Sequence, residues 1–141
     1  MKSKAFTLVE LVAVMVILGI LVAVAAPKFL ETNGEAVDST LRENLRVLRD
    51  SIERYAAANG GALPGDDGTE ADLKSDLRPF LRKFPANPIN DSDSVFVQSS
   101  GASFTAERSG GYGWLYDAKT GDIRINSGRT AEDGATPFVG L

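Results

Sequence analysis

The sequence contains no cysteine and no histidine among its 141 residues. The missing cysteines exclude disulfide bonds and thiol catalysis, and the missing histidines exclude imidazole acid–base chemistry and the common zinc sites. Basic side chains are outnumbered, with 15 Lys and Arg against 19 Asp and Glu, so the formal net charge is −4. Such a chain is poorly suited to bind nucleic acid through phosphate charge, and no nucleic-acid partner is expected for the single chain.

Apolar residues are concentrated near the N-terminus. Residues 1–5 are short and basic, whereas the 21 residues 6–26 are almost wholly apolar. As a helix, a segment of that length spans about 31 Å, close to the bilayer core of about 30 Å. Lys2 and Lys4 precede it, so the positive-inside rule keeps the N-terminus in the cytoplasm and exports residues 27–141.

Two interpretations of the apolar segment are open. Ala23, Val24 and Ala25 fit the small-residue cleavage pattern of a conventional signal peptide, which would make the remainder a secreted binding module. However, the run is longer than the usual signal core of about 7–15 residues, and it contains Glu10. A carboxylate at membrane depth costs about 2.5–3.5 kcal/mol on insertion scales. Because a discarded signal gains nothing from that cost, the pattern favours a retained anchor.

The same segment carries a specific motif. Residues 4–11 are KAFTLVEL, and the apolar run that follows contains Gly19 and stops before Pro27. This arrangement resembles the type III signal sequence of the type IV pilin superfamily, which includes type IV pilins and the pseudopilins of type II secretion systems. The resemblance extends over residues 4–27.

The resemblance implies how the N-terminus is processed. In the family a prepilin peptidase cuts on the cytoplasmic side and the new N-terminus is methylated; here the matching cut lies between Ala5 and Phe6, which makes residues 1–5 a leader that is removed. The family usually has Gly before the cut, and Ala5 is a departure from that pattern. Glu10 becomes the fifth residue of the mature chain, where the family carries its Glu, and Pro27 and Gly19 match as well.

Glu10 and the new amine predict an assembly contact. The unperturbed pKa of an α-amino group is about 7.7–8.0, so the amine of Phe6 is largely cationic near neutral pH. One helical turn separates this amine from Glu10, so the two charges could pair within a chain, but pairing between chains is favoured. We expect Glu10 of an incoming subunit to pair with the amine of Phe6 in a subunit already in the filament. Removing one partner of a buried charge pair costs about 3–5 kcal/mol, so the pairing also fixes the register of packing.

Gly19 and Pro27 have two interpretations. Small and kinked positions are common in membrane helices. The resemblance implies in addition that the helix between them extends in the assembled filament. Pro27 supports this, because it donates no backbone hydrogen bond and disfavours helix at Ala26.

The remainder of the chain predicts an α+β domain. Apolar residues recur at intervals of three or four from Val37 to Tyr55, which predicts an amphipathic helix to about residue 59 that packs against a sheet. A second, short helix is predicted with Thr69 as its N-cap. Together with the apolar membrane half, this is the pilin-like fold that the resemblance implies: a long N-terminal helix on a small C-terminal antiparallel sheet.

Two hairpins are predicted for that sheet. Residues 94–98 and 103–107 could form the first, and residues 112–117 and 122–126 the second. Tyr112, Trp114 and Tyr116 share one face by the period of two. They either bind a sugar or a hydrophobic partner or form the sheet core, and the core is favoured.

The C-terminal loops raise the question of a metal. Many type IV pilins close this region with a disulfide, which this chain cannot form, and some major pseudopilins use calcium instead. Residues 90–93 and 132–133 offer oxygen ligands, so calcium is possible, but no spacing matches an EF-hand and solvated acidic loops are the alternative.

The sequence therefore predicts a structural, non-catalytic subunit of a type IV pilus-like filament. The lack of cysteine favours a pseudopilin of a type II secretion system; the alternative is a type IV pilin of a surface fibre for adhesion, motility or DNA uptake. Expected partners are copies of the chain itself, the prepilin peptidase, the inner-membrane assembly platform, and lipid before assembly. The expected location is the bacterial inner membrane, with the C-terminal domain in the periplasm, and then a periplasmic or cell-surface filament.

Overall fold

The computed structural model describes residues 7–104, 107–130 and 137–140, apart from the side chains of residues 24–33 and 140. The elements in chain order are α1 (Leu8–Ala58), α2 (Glu70–Leu77), β1 (Val95–Gln98), β2 (Trp114–Asp117), β3 (Asp122–Ile125) and a 3-10 turn (Phe138–Gly140). The chain divides into two compact units, Met1–Ala36 and Val37–Leu141.

In the second unit, α1 buries one stripe of its surface. The side chains of this stripe are at most 4% exposed and follow each other at intervals of three or four: Leu41, Leu45, Leu48 and Ile52. The predicted amphipathic helix is therefore confirmed. Its end is also as predicted, because Gly60 adopts a φ of 66° and the N–H of Gly61 donates to the carbonyl of Ala56 at 2.8 Å. This is the geometry of a Schellman C-cap, which favours glycine.

The short helix α2 begins and packs as the sequence predicts. The backbone N–H of Asp72 donates to the hydroxyl oxygen of Thr69 at 3.2 Å, which makes Thr69 the N-cap. Leu73 and Leu77 are buried. Pro79 lies just beyond the C-terminal end, where a proline cannot continue the helix.

The sheet has three strands in the order β1-β2-β3. Strands β2 and β3 are antiparallel, with Trp114 opposite Ile125, which confirms the second predicted hairpin. Strand β1 pairs with β2 in parallel, with Val95 opposite Trp114. The predicted α+β fold is confirmed, but the prediction of an entirely antiparallel sheet is wrong for β1.

The first predicted hairpin does not form in the described part of the chain. Residues 103 and 104 are not in a strand, and residues 105–106 lie outside the described residues. The side-chain amide of Gln98, at the end of β1, donates to the carbonyl of Ala102 at 2.7 Å, so the chain turns away from β1 instead of pairing back onto it. A parallel pair needs a long connection, and residues 99–113 supply it.

A buried carboxylate holds this connection against the β2–β3 turn. Asp117 is 1% exposed. Its Oδ2 accepts from Gln98 Nε2 and Gly101 N, both at 2.8 Å, and its Oδ1 accepts from Lys119 N at 2.9 Å and Thr120 N at 3.3 Å. Burial raises the pKa of a carboxyl, but these hydrogen bonds outweigh burial and hold the pKa of Asp117 below its ordinary value. We call this set of bonds the Asp117 clasp.

The two faces of the sheet pack into different apolar clusters. One face packs with the buried stripe of α1, and it consists of Val95, Trp114, Tyr116, Ile123 and Ile125. On the other face Leu115 packs with Phe104 and Val139. Trp114 and Tyr116 therefore lie on one face of β2 and Leu115 on the other, because successive side chains of a strand point to opposite faces.

The predicted core role of the aromatic residues is confirmed for two of the three. Trp114 and Tyr116 are fully buried, and their polar atoms donate to the carbonyls of Pro85 and Pro64 at 2.9 and 2.8 Å. The prediction is wrong for Tyr112, which precedes β2, is half-buried, and packs edge-on against Phe96 with ring centres 5.5 Å apart. The chain bends at Gly113, so the period of two does not extend to Tyr112.

Candidate functional site

The helix α1 begins with a capping box that contains Glu10. The N–H and hydroxyl of Thr7 donate to Glu10 Oε2 at 3.2 and 3.1 Å, and the N–H of Glu10 donates back to the Thr7 hydroxyl oxygen at 3.3 Å. These bonds satisfy backbone donors that a helix N-terminus leaves unpaired, and the negative charge there is favoured by the helix dipole. The spacing Thr-x-x-Glu, present in the sequence, is the signal that predicts this box.

Beyond the capping box, α1 exposes apolar side chains on every side. All described side chains of residues 7–23 are exposed. The large apolar ones are 48–79% exposed, and they are Leu8, Val9, Leu11, Val12, Val14, Met15, Val16, Ile17, Leu18, Ile20, Leu21 and Val22. A helix that is apolar all round is normally covered, either by lipid or by other protein. We call residues 8–22 the apolar sleeve.

Among the residues that the structure describes, no helix has an apolar stretch of the length needed to cross a membrane. The predicted segment 6–26 extends beyond the described side chains at both ends.

The remaining predicted site residues of the N-terminus are only partly described. Ala5 and Phe6 lie outside the described residues. Gly19 lies within α1, and a Cβ added there would have no neighbour within 4 Å. Pro27 lies within the backbone of α1, and its side chain is outside the described part. Cleavage, methylation, helix extension and the contact of Glu10 with the Phe6 amine therefore stay predictions.

Two of the residues suggested for calcium, Asn90 and Asp93, are held in other contacts. Asn90 Nδ2 donates to the carbonyl of Tyr112 at 2.9 Å, and Asn90 Oδ1 accepts from Ser92 N at 3.2 Å. Asp93 lies 3.5 Å from the ammonium of Lys74. Among the residues that the structure describes, no three acidic side chains are gathered for a metal ion. Residues 132–133 are outside that part.

A family model described as the prokaryotic N-terminal methylation motif matches residues 1–26. This match covers residues 1–5, which are predicted to be a leader, the capping box of Thr7 and Glu10, and the apolar sleeve. The chain therefore carries the N-terminus found in type IV pilins and pseudopilins, and the resemblance inferred from the sequence is confirmed.

Across most of its length the chain is similar to a type IV pilin. It is 27% identical over 124 residues to "Type IV narrow pilus major component PilA5" of Thermus thermophilus, and the matched region covers 78% of this chain and 91% of the relative. No solved structure matches the chain. The motif and the relative support a type IV pilin-like filament subunit, and a structural rather than an enzymatic protein.

Proposed function

We propose that this chain is the subunit of a type IV pilus, a fibre on the bacterial surface. The observation that carries the proposal is the apolar sleeve of residues 8–22, which is exposed on every side in a single chain and lies within the matched methylation motif. A soluble module has no use for such a helix, because its exposed apolar surface favours association. A filament buries it by packing sleeves against one another.

The similar pilin of Thermus thermophilus supports a subunit of a type IV pilus rather than of a secretion pseudopilus. Its description is that of a major component of a type IV pilus. The lack of cysteine, which favoured a pseudopilin in the sequence, has less weight, because the Asp117 clasp joins the C-terminal loops without a disulfide.

Processing and location follow from the motif in this proposal. The prepilin peptidase removes residues 1–5 and Phe6 is methylated. Before assembly, residues 6–26 lie in the inner membrane with the remainder in the periplasm. The inner-membrane assembly platform then transfers the subunit from lipid into the filament, where neighbouring copies replace lipid around the sleeve.

Glu10 has two partners at different stages. In the single chain its carboxylate accepts from the N–H and hydroxyl of Thr7. In the filament the amine of Phe6 from a neighbouring copy approaches the same carboxylate. A hydrogen bond from an ionised donor to an ionised acceptor is about twice as strong as a neutral one, so the charged amine adds to the capping bonds and favours the assembled state.

Replacing Glu10 with Ala tests the assembly contact. Glu10→Ala chains are expected to insert into the membrane normally, because the apolar segment is unchanged, and to yield at least about ten-fold less sheared filament, the equivalent of 1.4 kcal/mol. Glu35→Ala is the matched control, since Glu35 is an exposed acidic residue on the same helix. Normal filaments from Glu10→Ala would show that the contact is not needed.

Mass spectrometry of the mature N-terminus separates the filament from the secreted module. A methylated Phe6 is expected for the pilin, whereas a chain that starts at Ala26 would identify a conventional signal peptide. The location of the polymer then separates pilus from pseudopilus. Fibres released from intact cells by shearing support the pilus, whereas polymer confined to the periplasm together with a loss of protein export supports the pseudopilus.

A further inference from the structure

Helix α2 carries like charges on two separate sides. Asp72 and Asp76 are four residues apart, and so are Lys74 and Arg78. Like charges at this spacing destabilise a helix, whereas alternating signs would stabilise it. For Asp72 and Asp76, which form no ion pair with a described residue, this spacing has a cost that a partner of opposite charge would remove.

The acidic side of α2 is extended by the preceding loop. The N–H of Asp67 donates to Asp72 Oδ2 at 3.4 Å, and the N–H of Gly65 donates to Asp76 Oδ2 at 3.0 Å, so the loop lies against that side. We call Asp66, Asp67, Asp72 and Asp76 the acidic patch. In the described part of the chain, no ion pair involves any of the four.

The carboxylates around Asp72 disfavour its ionised form. The hydrogen bond from Asp67 lowers the pKa of Asp72, but burial and the charges of Asp67, Asp76 and Asp66 outweigh it, so the pKa of Asp72 is raised. A cation brought to this surface would therefore be bound favourably.

The opposite side of α2 leads into a basic surface. Arg78, Arg82 and Lys83 are exposed, and none of them forms an ion pair with another described residue. They surround a cavity of about 240 Å³ whose apolar lining is Leu77, Leu81 and Phe84. We call the three cations the basic patch. Lys74 at the same cavity is already paired with Glu70 at 2.8 Å.

In the described part of the chain, no ion pair joins the two patches. A helix turns about 100° per residue, so Asp72 and Arg78 lie about 120° apart around the helix axis, with the exposed Ser75 between them. The patches are different surfaces of one molecule with opposite charge. A contact between different surfaces of identical molecules is heterologous, and when its rotation does not close a ring it continues as an open helical filament.

We propose that the basic patch of one copy binds the acidic patch of the next copy in the filament. This contact rests on the proposed function and adds to it a second interface, outside the N-terminal helix. Nucleic acid is the less favoured occupant, because the chain is acidic overall and Asp93 lines the same cavity as the three cations. The two patches carry opposite charge, because one consists of three cations and the other of four carboxylates.

Charge reversal with a compensating swap tests this contact in whole cells. Arg82→Glu with Lys83→Glu reverses the basic patch and leaves the end of α2 intact. Asp66→Lys with Asp67→Asn and Asp72→Lys reverses the acidic patch to a net positive charge, and the asparagine keeps an oxygen for the hydrogen bond that Asp67 Oδ1 accepts from Thr69 N at 2.7 Å. The control for the basic-patch variant is Lys119→Glu with Arg129→Glu, which makes the same change in net charge at two exposed cations elsewhere.

Each patch variant is expected to yield at least about ten-fold less sheared filament, because like charges across an interface disfavour association. A chain with both patches reversed is expected to recover filament yield, since the two surfaces again carry opposite charge. The control is expected to assemble like the unmodified chain. The fluorescence of Trp114, which is buried and is the single tryptophan, checks that every variant is folded.

Three results would overturn the proposal. The first is normal filament yield from both patch variants. The second is a reduced yield that the combined reversal does not recover, which would mean that the patches do not face each other. The third concerns DNA: the variant with Arg82→Glu and Lys83→Glu forms filaments in normal yield, but these filaments no longer retain duplex DNA as the unmodified filaments do. If the unmodified, folded chain forms no filament, the proposed function fails and this contact fails with it.

Discussion

Replacing Asp117 with Asn removes the charge of the clasp while keeping its shape. Four donors point at the carboxylate of Asp117, two at each oxygen. In asparagine one oxygen becomes an NH2 group, which cannot accept from the two donors that face it. Each buried donor left unpaired costs about 1–3 kcal/mol. The expected loss in the free energy of unfolding is therefore about 2–6 kcal/mol, against a total of about 5–15 kcal/mol for a typical domain.

The loss can be measured by urea unfolding of the full chain in detergent, followed by the fluorescence of Trp114. Asp122→Asn is a matched control, because Asp122 lies opposite Asp117 in the β2–β3 pair and is partly exposed. Its ion pair with Arg124 is a surface pair, so a change within about 1 kcal/mol is expected.

The pH dependence gives an independent check. The pKa of Asp117 is lowered in the folded state, so its contribution to stability is fully present above the unfolded pKa of about 3.9 and is lost as the pH falls through the folded value. The difference in unfolding free energy between the unmodified chain and Asp117→Asn should therefore be constant at about pH 5–7 and shrink below about pH 4. Equal stability of the two chains at neutral pH, or a difference that does not change in acid, would refute the reasoning.

Two further substitutions test the packing of the sheet against its surroundings, by the same unfolding assay. Gly113→Ala should destabilise the chain by about 1–3 kcal/mol or more, because the added Cβ would overlap the carbonyl oxygen of Ser92; an unchanged unfolding midpoint would contradict this geometry. Leu48→Ala should lower the free energy of unfolding by about 2–5 kcal/mol, since Leu48 is fully buried. Val47→Ala, on the exposed side of α1, should lower it far less. Similar losses of stability from the two substitutions would contradict the assigned buried face.

The helices could be predicted from the sequence because their signals are local. The apolar residues from Leu41 to Ile52 have helical spacing, and Gly60 and Gly61 permit the C-cap of that helix. Thr69 is followed by leucines at helical spacing, which predicts the second helix. Each of these depends on residues within one or two turns of the helix. The hairpin of β2 and β3 was predictable for the same reason.

The direction of β1 could not be predicted, because it depends on contacts between distant residues. Gln98 and Asp117 are well separated in the sequence, and the hydrogen bond between them decides where the chain goes after β1. The turn residues Ser99, Ser100 and Gly101 are compatible with a hairpin as well as with a crossover. The charge segregation on α2 was visible in the sequence, but the unpaired state of both patches required the three-dimensional contacts.

At the N-terminus, the motif identified the residues while the structure added their local geometry. The register of Phe6, Glu10 and Pro27 was sufficient to indicate a pilin-like N-terminus, and the model of the N-terminal methylation motif matches residues 1–26. The hydrogen bonds between Thr7 and Glu10 gave the glutamate a role in its own helix as well.

The mixed sheet has a consequence for the order of folding. Strands β2 and β3 are joined by a short turn, so they can pair on the microsecond timescale of an isolated hairpin. Strand β1 can add only after the loop of residues 99–113 has closed, and longer loops close at a greater entropic cost. We therefore expect β1 to dock last during folding and to detach first on heating, so its amide protons should exchange with solvent sooner than those of β2.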